Sequence, residues 1–369
     1  MSLKQTRDDE YYMRRALSLA RRGTGHTSPN PLVGCVIVKN EQIIAEGYHH
    51  AYGMPHAEVE ALRQAGNRAE GATAYVNLEP CAHYGKTPPC APQLVEAGVK
   101  RVVIGMVDPH AVVNGKGIDI LKSHNVEVKT GIIEEECKWL NRGFIRRIKN
   151  NRPWFTLKTA STIDGKIALP NGESQWITSD EARNRAHLLR AEHDAILVGI
   201  QTVLCDDPSL TVRHTCGKSP LRVVVDTHLR TPQNASILKN EAAVILAGES
   251  ARNTKEHYIL EKAGAELFFI PERDNHVDLS HAVKVLGNRG INSVLVEGGA
   301  TIASAFFKEN LVDGVSLFIA PTIMGQGISL FERIVVPSLD KLIRITVRNV
   351  SKAGQDIWIE GVPECSLDL

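Results

Sequence analysis

Short apolar runs alternate with stretches of helical period along nearly the whole chain, and that alternation restricts the fold to layered α/β architectures. Val33 to Val38 and Ile43 to Tyr48 flank the polar tetrad Lys39-Asn40-Glu41-Gln42 as two strands flank a hairpin turn. Ala74 to Leu78 and Val102 to Gly105 read as short buried strands, with helical stretches over 8–22, 56–65 and 91–97 beside them. The first helix opens on Asp8, Asp9 and Glu10, shares Met13, Ala16, Leu17 and Ala20 on one face, and closes on Arg21, Arg22 and Gly23. That charge order suits the helix dipole. Beyond the hairpin, the sheet of this half is expected to be largely parallel.

A helix over 134–149 runs into Asn150-Asn151-Arg152-Pro153, a polar stretch closed by proline, and the domain boundary is expected there, giving domains 1–150 and 151–369. A second βα series follows, with strands at 154–160, 195–199, 222–226, 243–247, 267–270 and 293–297. Thr178, with Glu181 three residues on, has the spacing of a capping box. With 43 Lys+Arg against 42 Asp+Glu, the net charge is +1, which disfavours broad binding of nucleic acid or an anionic membrane. A local patch for a phosphorylated ligand remains compatible with that balance. No apolar run reaches about 18 residues, and the N-terminal segment lacks the pattern of a secretory leader. The seven cysteines are odd in number and thinly spread, so no disulfide framework is expected and the compartment is read as cytoplasmic.

His56-Ala57-Glu58, Pro80-Cys81 and Cys90 supply one imidazole, two thiolates and a carboxylate. Three protein ligands are what a catalytic Zn2+ takes, leaving a position for a water whose pKa falls to about 7, whereas a structural site is closed by a fourth. An H-x-E motif followed by Pro-Cys and a second Cys is the pattern of zinc deaminases, in which the glutamate moves protons without binding metal. Here eight residues separate Cys81 from Cys90, and the intervening loop is expected to lie over the site. Read singly, each residue has a plainer explanation: His56 as a helix-start histidine, the two cysteines as small buried hydrophobes.

PNPLVGCVIV, HAEVEAL, NLEPCAHYGKTPPC and DPHAVVNGKGI resemble the deaminase half of the bifunctional deaminase–reductase family of riboflavin biosynthesis, within the cytidine-deaminase-like superfamily. The resemblance implies a three-layer α/β/α domain holding one Zn2+ through His56, Cys81 and Cys90, with Glu58 catalytic. It implies as substrate 2,5-diamino-6-ribosylamino-4(3H)-pyrimidinone 5′-phosphate, which loses its 2-amino group. Asn30 matches the position that meets the pyrimidine, and His83, Lys86 and Asp108 match loop positions near the base or ribose phosphate. His110 departs from the family pattern, which has Asn after Asp-Pro, and Asn114 occupies a position that is usually small.

The second half has no G-x-G-x-x-G after a strand, which disfavours a conventional dinucleotide-binding domain. Val294-Leu295-Val296-Glu297-Gly298-Gly299 instead runs a strand into a glycine turn and a helix start, where backbone N–H groups can meet a phosphate. The same pattern also serves as a tight turn. LKTASTIDGKIA, GESQWITS, LLRAEHDAILVGIQTVLCDDPSLTVR, VVVDT, VEGGATIASAFF and IAPTIMG resemble the reductase half of the same family. That likeness implies a dihydrofolate-reductase-like α/β domain and hydride transfer from NADPH to C1 of the ribosyl group through a ring-opened imine. It implies cofactor contacts from Ala160, Trp176, Thr202, Asp206, Thr227 and Gly299, and substrate contacts from Ser174, Arg190, Leu210, Arg213 and Glu297. The forked donors of Arg190 and Arg213 suit a substrate phosphate, and a carboxylate at Glu297 suits ribose hydroxyls or proton transfer. Asp206 also reads as a turn-former and Trp176 as core packing. The family further implies a homo-oligomer, dimer or tetramer.

Two other readings stay open at this point. One is a nucleoside or RNA base deaminase with an unrelated second domain, against which the charge balance and long inter-cysteine loop count. The other is a structural zinc joined to a nucleotide-sensing module, against which the three-ligand set counts.

Overall fold

The computed structural model describes residues 3–84, 88–110, 114–213, 215–239, 242–331 and 333–366. The chain divides into two compact units, Met1–Asn150 and Asn151–Leu369.

The first unit contains α1 (Leu3–Ala20), β1 (Gly34–Lys39), β2 (Gln42–Tyr48), α2 (Ala57–Ala65), β3 (Thr73–Leu78), α3 (Cys90–Glu96), β4 (Arg101–Met106), α4 (Lys116–Ser123), β5 (Glu127–Thr130), α5 (Glu134–Leu140) and α6 (Arg142–Asn150). Its sheet has the order β2-β1-β3-β4-β5. β1 pairs antiparallel with both β2 and β3, and β3-β4-β5 are parallel. Asn40 and Glu41 both take positive φ, 52° and 62°, as the hairpin turn requires.

The period of two decides the layering. Cys35, Ile37, Ala74, Val76, Val102 and Ile104 bury one sheet face against Ala57, Ala61, Leu94 and Leu121 of α2, α3 and α4. Val36, Val38, Tyr75 and Val103 bury the other against Met13, Leu17, Cys137 and Ile145 of α1, α5 and α6. Helices on both faces make this the expected three-layer unit.

The second unit contains β6 (Trp154–Thr162), β7 (Lys166–Ala168), α7 (Asp180–Glu192), β8 (Ala195–Gly199), α8 (Ile200–Asp206), β9 (Leu221–Val225), β10 (Val244–Gly248), α9 (Lys255–Lys262), β11 (Glu266–Ile270), β12 (Glu272–Arg273), β13 (His276–Val277), α10 (Leu279–Asn288), β14 (Ser293–Glu297), α11 (Ala300–Lys308), β15 (Gly314–Ala320), β16 (Ile328–Ser329), β17 (Ile345–Ala353) and β18 (Asp356–Pro363). Its main sheet has the order β11-β10-β9-β8-β14-β6-β15-β18-β17. The first seven are parallel, and β18 and β17 close the edge antiparallel. Parallel strands are covered on both faces, and Val223, Leu246 and Val294 accordingly pack towards α10 and α11 while Ile196, Val224 and Ile245 pack towards α8 and α9.

Three local expectations are corrected. The helix expected over 8–22 spans Leu3–Ala20, so Asp8, Asp9 and Glu10 lie beyond its first turn rather than opening it, and a 3-10 turn follows over Arg21–Gly23. The stretch 134–149 is two helices that meet at Asn141 (φ −97°, ψ 16°), whose amide pairs with Leu32, accepting from its N–H at 2.8 Å and donating to its carbonyl at 3.0 Å. The cap of α7 is Ser179, not Thr178: its hydroxyl accepts from Ala182 N at 3.4 Å and donates to Asp356 Oδ2 at 2.8 Å.

Two candidate active sites

In the first unit, His56 is the N-cap residue of α2, so Glu58 falls in its first turn, while Cys81 follows β3 and Cys90 opens α3. Three elements therefore bring the side chains together: His56 Nδ1 lies 3.6 Å from Cys81 Sγ and 3.3 Å from Cys90 Sγ, and the three donor atoms fall within 4.8 Å of one another. The Cys90 thiol, the His56 ring and the Cys90 N–H, the last at 3.3 Å, all act on Cys81 and pull its thiol down to about 4 against the effect of burial. Cys90 is pushed up by that same bond and by burial.

Glu58 is buried, 3% exposed, and burial pushes its carboxyl up to about 7. Its Oε2 has no hydrogen-bond partner among the described residues. A buried carboxylate oxygen without a partner is costly unless something of the reaction meets it. The nitrogen-and-two-sulfur donor set beside that oxygen fits a zinc centre with one ligand position left for water.

The expected substrate contacts surround this centre unevenly. Asn30 Nδ2 donates to His49 Nε2 at 3.1 Å, and His49 Nδ1 lies 3.0 Å from the Pro55 carbonyl, which can only accept. The Nδ1 of His49 therefore carries its proton, and burial lowers its pKa and keeps the ring neutral. Its ring stands edge-on to His56 with centroids 5.4 Å apart. His49 was not singled out in the sequence, where it is one of two adjacent histidines. Asp108 is buried, which pushes its carboxyl up to about 6, and His83 is exposed. Lys86 lies outside the described residues.

In the second unit, one open cleft of about 2220 Å³ is lined by all eleven residues expected to contact cofactor or substrate there: Ala160, Ser174, Trp176, Arg190, Thr202, Asp206, Leu210, Arg213, Thr227, Glu297 and Gly299. A pocket for one small molecule spans roughly 300–1,000 Å³, so this cleft has room for two ligands at once. The glycine turn leaves the backbone bare at the start of α11: among the described residues a methyl added to Gly299 would meet nothing within 4 Å, whereas one on Gly298 would crowd Ile302. That open N-terminus, beside Thr202, fits the phosphates of a dinucleotide.

Several side chains differ from their sequence reading. Trp176 is 69% exposed on the cleft wall, which removes the core-packing alternative. It stacks on Arg183, whose guanidinium carbon sits 4.6 Å from the ring centre. Asp206 ends α8, and the turn beyond it is made by Asp207, at positive φ. Thr227 lies two residues past β9, and its hydroxyl accepts from Val277 N at 3.1 Å. Leu210 is buried at a φ of 54°.

Arg190 is not an open phosphate clamp. Its Nε and Nη2 each bond a Glu297 oxygen at 2.9 Å, and its Nη1 bonds the Thr211 carbonyl at 3.2 Å. Lys158 Nζ lies 3.6 Å from Glu297, a cleft residue the sequence reading passed over because one strand lysine carries no local signature. Burial alone would raise the Glu297 carboxyl, but Lys158 and Arg190 override it and hold the group down at about 2. Arg213 is exposed, its backbone N–H bonded to His187 Nδ1 at 3.3 Å.

Residues 6–106 match the family described as the cytidine and deoxycytidylate deaminase zinc-binding region, and residues 153–359 match the RibD C-terminal domain. The chain is 42% identical over 352 residues to the riboflavin biosynthesis protein RibD of Aquifex aeolicus, covering 95% of this chain and 97% of that one. Against the Escherichia coli RibD it is 41% identical, covering 95% and 98%. The RibD structure from Acinetobacter baumannii superposes with a TM-score of 0.89 at 41% identity, covering 97% of this chain and 99% of that one. The diaminohydroxyphosphoribosylaminopyrimidine deaminase/5-amino-6-(5-phosphoribosylamino)uracil reductase from Thermotoga maritima gives 0.86 at 37% identity, with the same coverage.

Proposed function

This chain belongs to the RibD family, bifunctional deaminase–reductases of riboflavin biosynthesis, and from that premise we propose how its two units divide the chemistry. The unit over 1–150 deaminates the diaminopyrimidinone ribosyl phosphate, and the unit over 151–369 reduces the ribosyl group of the product with NADPH. His56, Cys81 and Cys90 would hold zinc. Bound there, the metal supplies the Lewis acidity that lowers the pKa of an attacking water.

Glu58 carries the proton traffic. Its Oε2, buried and without a partner among the described residues, accepts a proton as the water oxygen adds to the amino-bearing ring carbon. The same carboxyl returns that proton to the departing amine, which leaves as ammonia. A carboxyl raised to about 7 is matched to both halves of that exchange. Asn30, steadied by His49, and Asp108 orient the pyrimidine, with His83 towards the ribose phosphate and Lys86 assigned to that phosphate from the family resemblance alone.

In the reductase cleft, Ala160, Trp176, Thr202, Asp206, Thr227 and the Gly299 turn would hold NADPH, which would supply the hydride for C1 of the ring-opened imine while the imine nitrogen takes a proton. Glu297, kept ionised by Lys158 and Arg190, accepts hydrogen bonds from the sugar hydroxyls, and the Lys158 ammonium beside it is a proton donor within the same cluster. Ser174, Leu210 and Arg213 complete the substrate side, with Arg213 as the phosphate partner.

We also assign the chain to the cytoplasm and to a homo-oligomer. Buried free thiols at Cys35 and Cys137 fit a reducing compartment, and exposed Val347 and Val350 on the edge strand β17 fit contact with another copy. Among the described residues no helix is long and apolar enough to cross a membrane. The observation that carries the proposal is Glu58 Oε2 beside the His56-Cys81-Cys90 triad. Mixing zinc-loaded protein with NADPH and the undeaminated substrate should release ammonia and then oxidise NADPH. Ammonia from cytidine or adenosine, with none from the pyrimidine phosphate, would replace it with a nucleoside deaminase reading.

A further inference from the structure

The segment DPHAVVNGKGI stands out in the sequence, yet its glycines take no part in the chemistry above. Its two described parts, 108–110 and 114–118, are organised around one side chain. Glu79 follows β3 directly, two residues ahead of Cys81, and is 3% exposed. Burying a carboxylate is costly unless its oxygens are filled. Glu79 Oε2 accepts from Asp108 N at 3.2 Å and Gly115 N at 3.0 Å, and Oε1 accepts from Gly117 N at 3.0 Å and Ile118 N at 3.3 Å. Its own N–H donates to the Met106 carbonyl at 3.0 Å.

One carboxylate thus gathers both ends of the 108–118 segment. The two glycines make the approach feasible: Gly115 has a φ of 89°, and any Cβ on Gly117 would run into the Pro80 carbonyl oxygen. Asp108 in turn has its Oδ1 bonded to His110 N at 2.8 Å, so the direction of its carboxyl follows the backbone that Glu79 holds.

We propose that Glu79 is a positioning residue of the deaminase site, fixing Asp108 relative to the strand end that carries Cys81. It rests on the deaminase reading and on Asp108 as a substrate contact. Glu79 does its work through acceptors alone. A glutamine has one acceptor oxygen and one NH2, so two of the four backbone donors would face a donor in its place.

The test is steady-state ammonia release by the full-length zinc-loaded protein across concentrations of the diaminopyrimidinone ribosyl phosphate. For Glu79→Gln the KM is expected to rise about ten-fold or more while kcat falls by less than about three-fold, the split expected when ground-state orientation is lost. Zinc content should match the wild type. In an Asp108→Ala background, adding Glu79→Gln should change KM by less than about two-fold, because the two residues act in one chain of contacts. An unchanged KM, loss of zinc, or additive effects of the two substitutions would overturn the inference.

Should Glu79→Gln fail to fold, Gly115→Ala probes the same loop from outside. Among the described residues its methyl would meet nothing within 4 Å, yet its φ is strained for alanine. It is expected to reproduce the KM defect with zinc retained, and an unaltered KM would count against the proposal. A wild type that releases no ammonia from this substrate would instead fail the deaminase reading itself.

Discussion

Arg190 and Glu297 form a two-bonded ion pair in the reductase cleft, Nε to Oε1 and Nη2 to Oε2, each at 2.9 Å, with both side chains nearly buried. The residues are 107 positions apart in the chain. They meet because α7 packs against the parallel sheet that ends in Glu297 at the tip of β14. Forked pairing of this kind is stronger than a single contact and fixes the planes of both groups.

Replacing Glu297 by Gln leaves Arg190 and Lys158 as uncompensated positive charge. The expected cost is about 3 kcal/mol, read by urea unfolding of the full chain at pH 7. The Glu297 carboxyl is held at about 2 against an ordinary value of 4.5. Because the folded-state value is the lower one, this contribution is complete above 4.5 and is lost as pH falls towards 2. Wild-type stability should therefore fall more steeply between those limits than that of Glu297→Gln, and equal slopes would show that the acid sensitivity arises elsewhere.

Glu58→Gln keeps the volume of the side chain and removes its proton traffic. Ammonia release should fall by about 10³-fold or more, with zinc content and reduction of the deaminated compound unchanged. Loss of both activities in a folded, zinc-loaded protein would contradict two separate sites.

How far the sequence revealed these sites depends on how local each signal is. His56 and Glu58 are one helical turn of sequence, and Cys81 and Cys90 bracket one loop, so the zinc triad was legible as spacing. The strand positions were legible because Val36 and Ile37 must face opposite layers. Glu79, His49 and Lys158 were not, since their roles come from backbone N–H groups and side chains brought in by other elements. Arg190 and Glu297 both stand out in the sequence, but as separate ligand contacts rather than as each other's partner. Periodicity alone carries a single helix through Asn141, and its amide contact with Leu32, 109 residues away, has no local signal.

Removing zinc with a chelator separates a catalytic from a structural metal. The first unit buries its apolar side chains on both sheet faces independently of the triad, so its fold should persist. Deamination should vanish and return on adding zinc, while NADPH oxidation with the deaminated compound continues throughout. Cooperative unfolding of the first unit on chelation would mark the metal as structural.

Trp176 gives the sharpest contrast between a packing and a binding role. At 69% exposure it contributes little buried area, and its main contact is the Arg183 guanidinium stacked on its face. Truncation to Ala should therefore leave the melting temperature within about 2 °C of wild type, as surface substitutions do. A cofactor stacked against the same wall of the cleft would lose one aromatic surface, so the KM for NADPH should rise by about ten-fold with the KM for the substrate little changed. Deamination, in the other unit, should not respond. A large drop in melting temperature with unaltered NADPH kinetics would return Trp176 to the packing role that its exposure argues against.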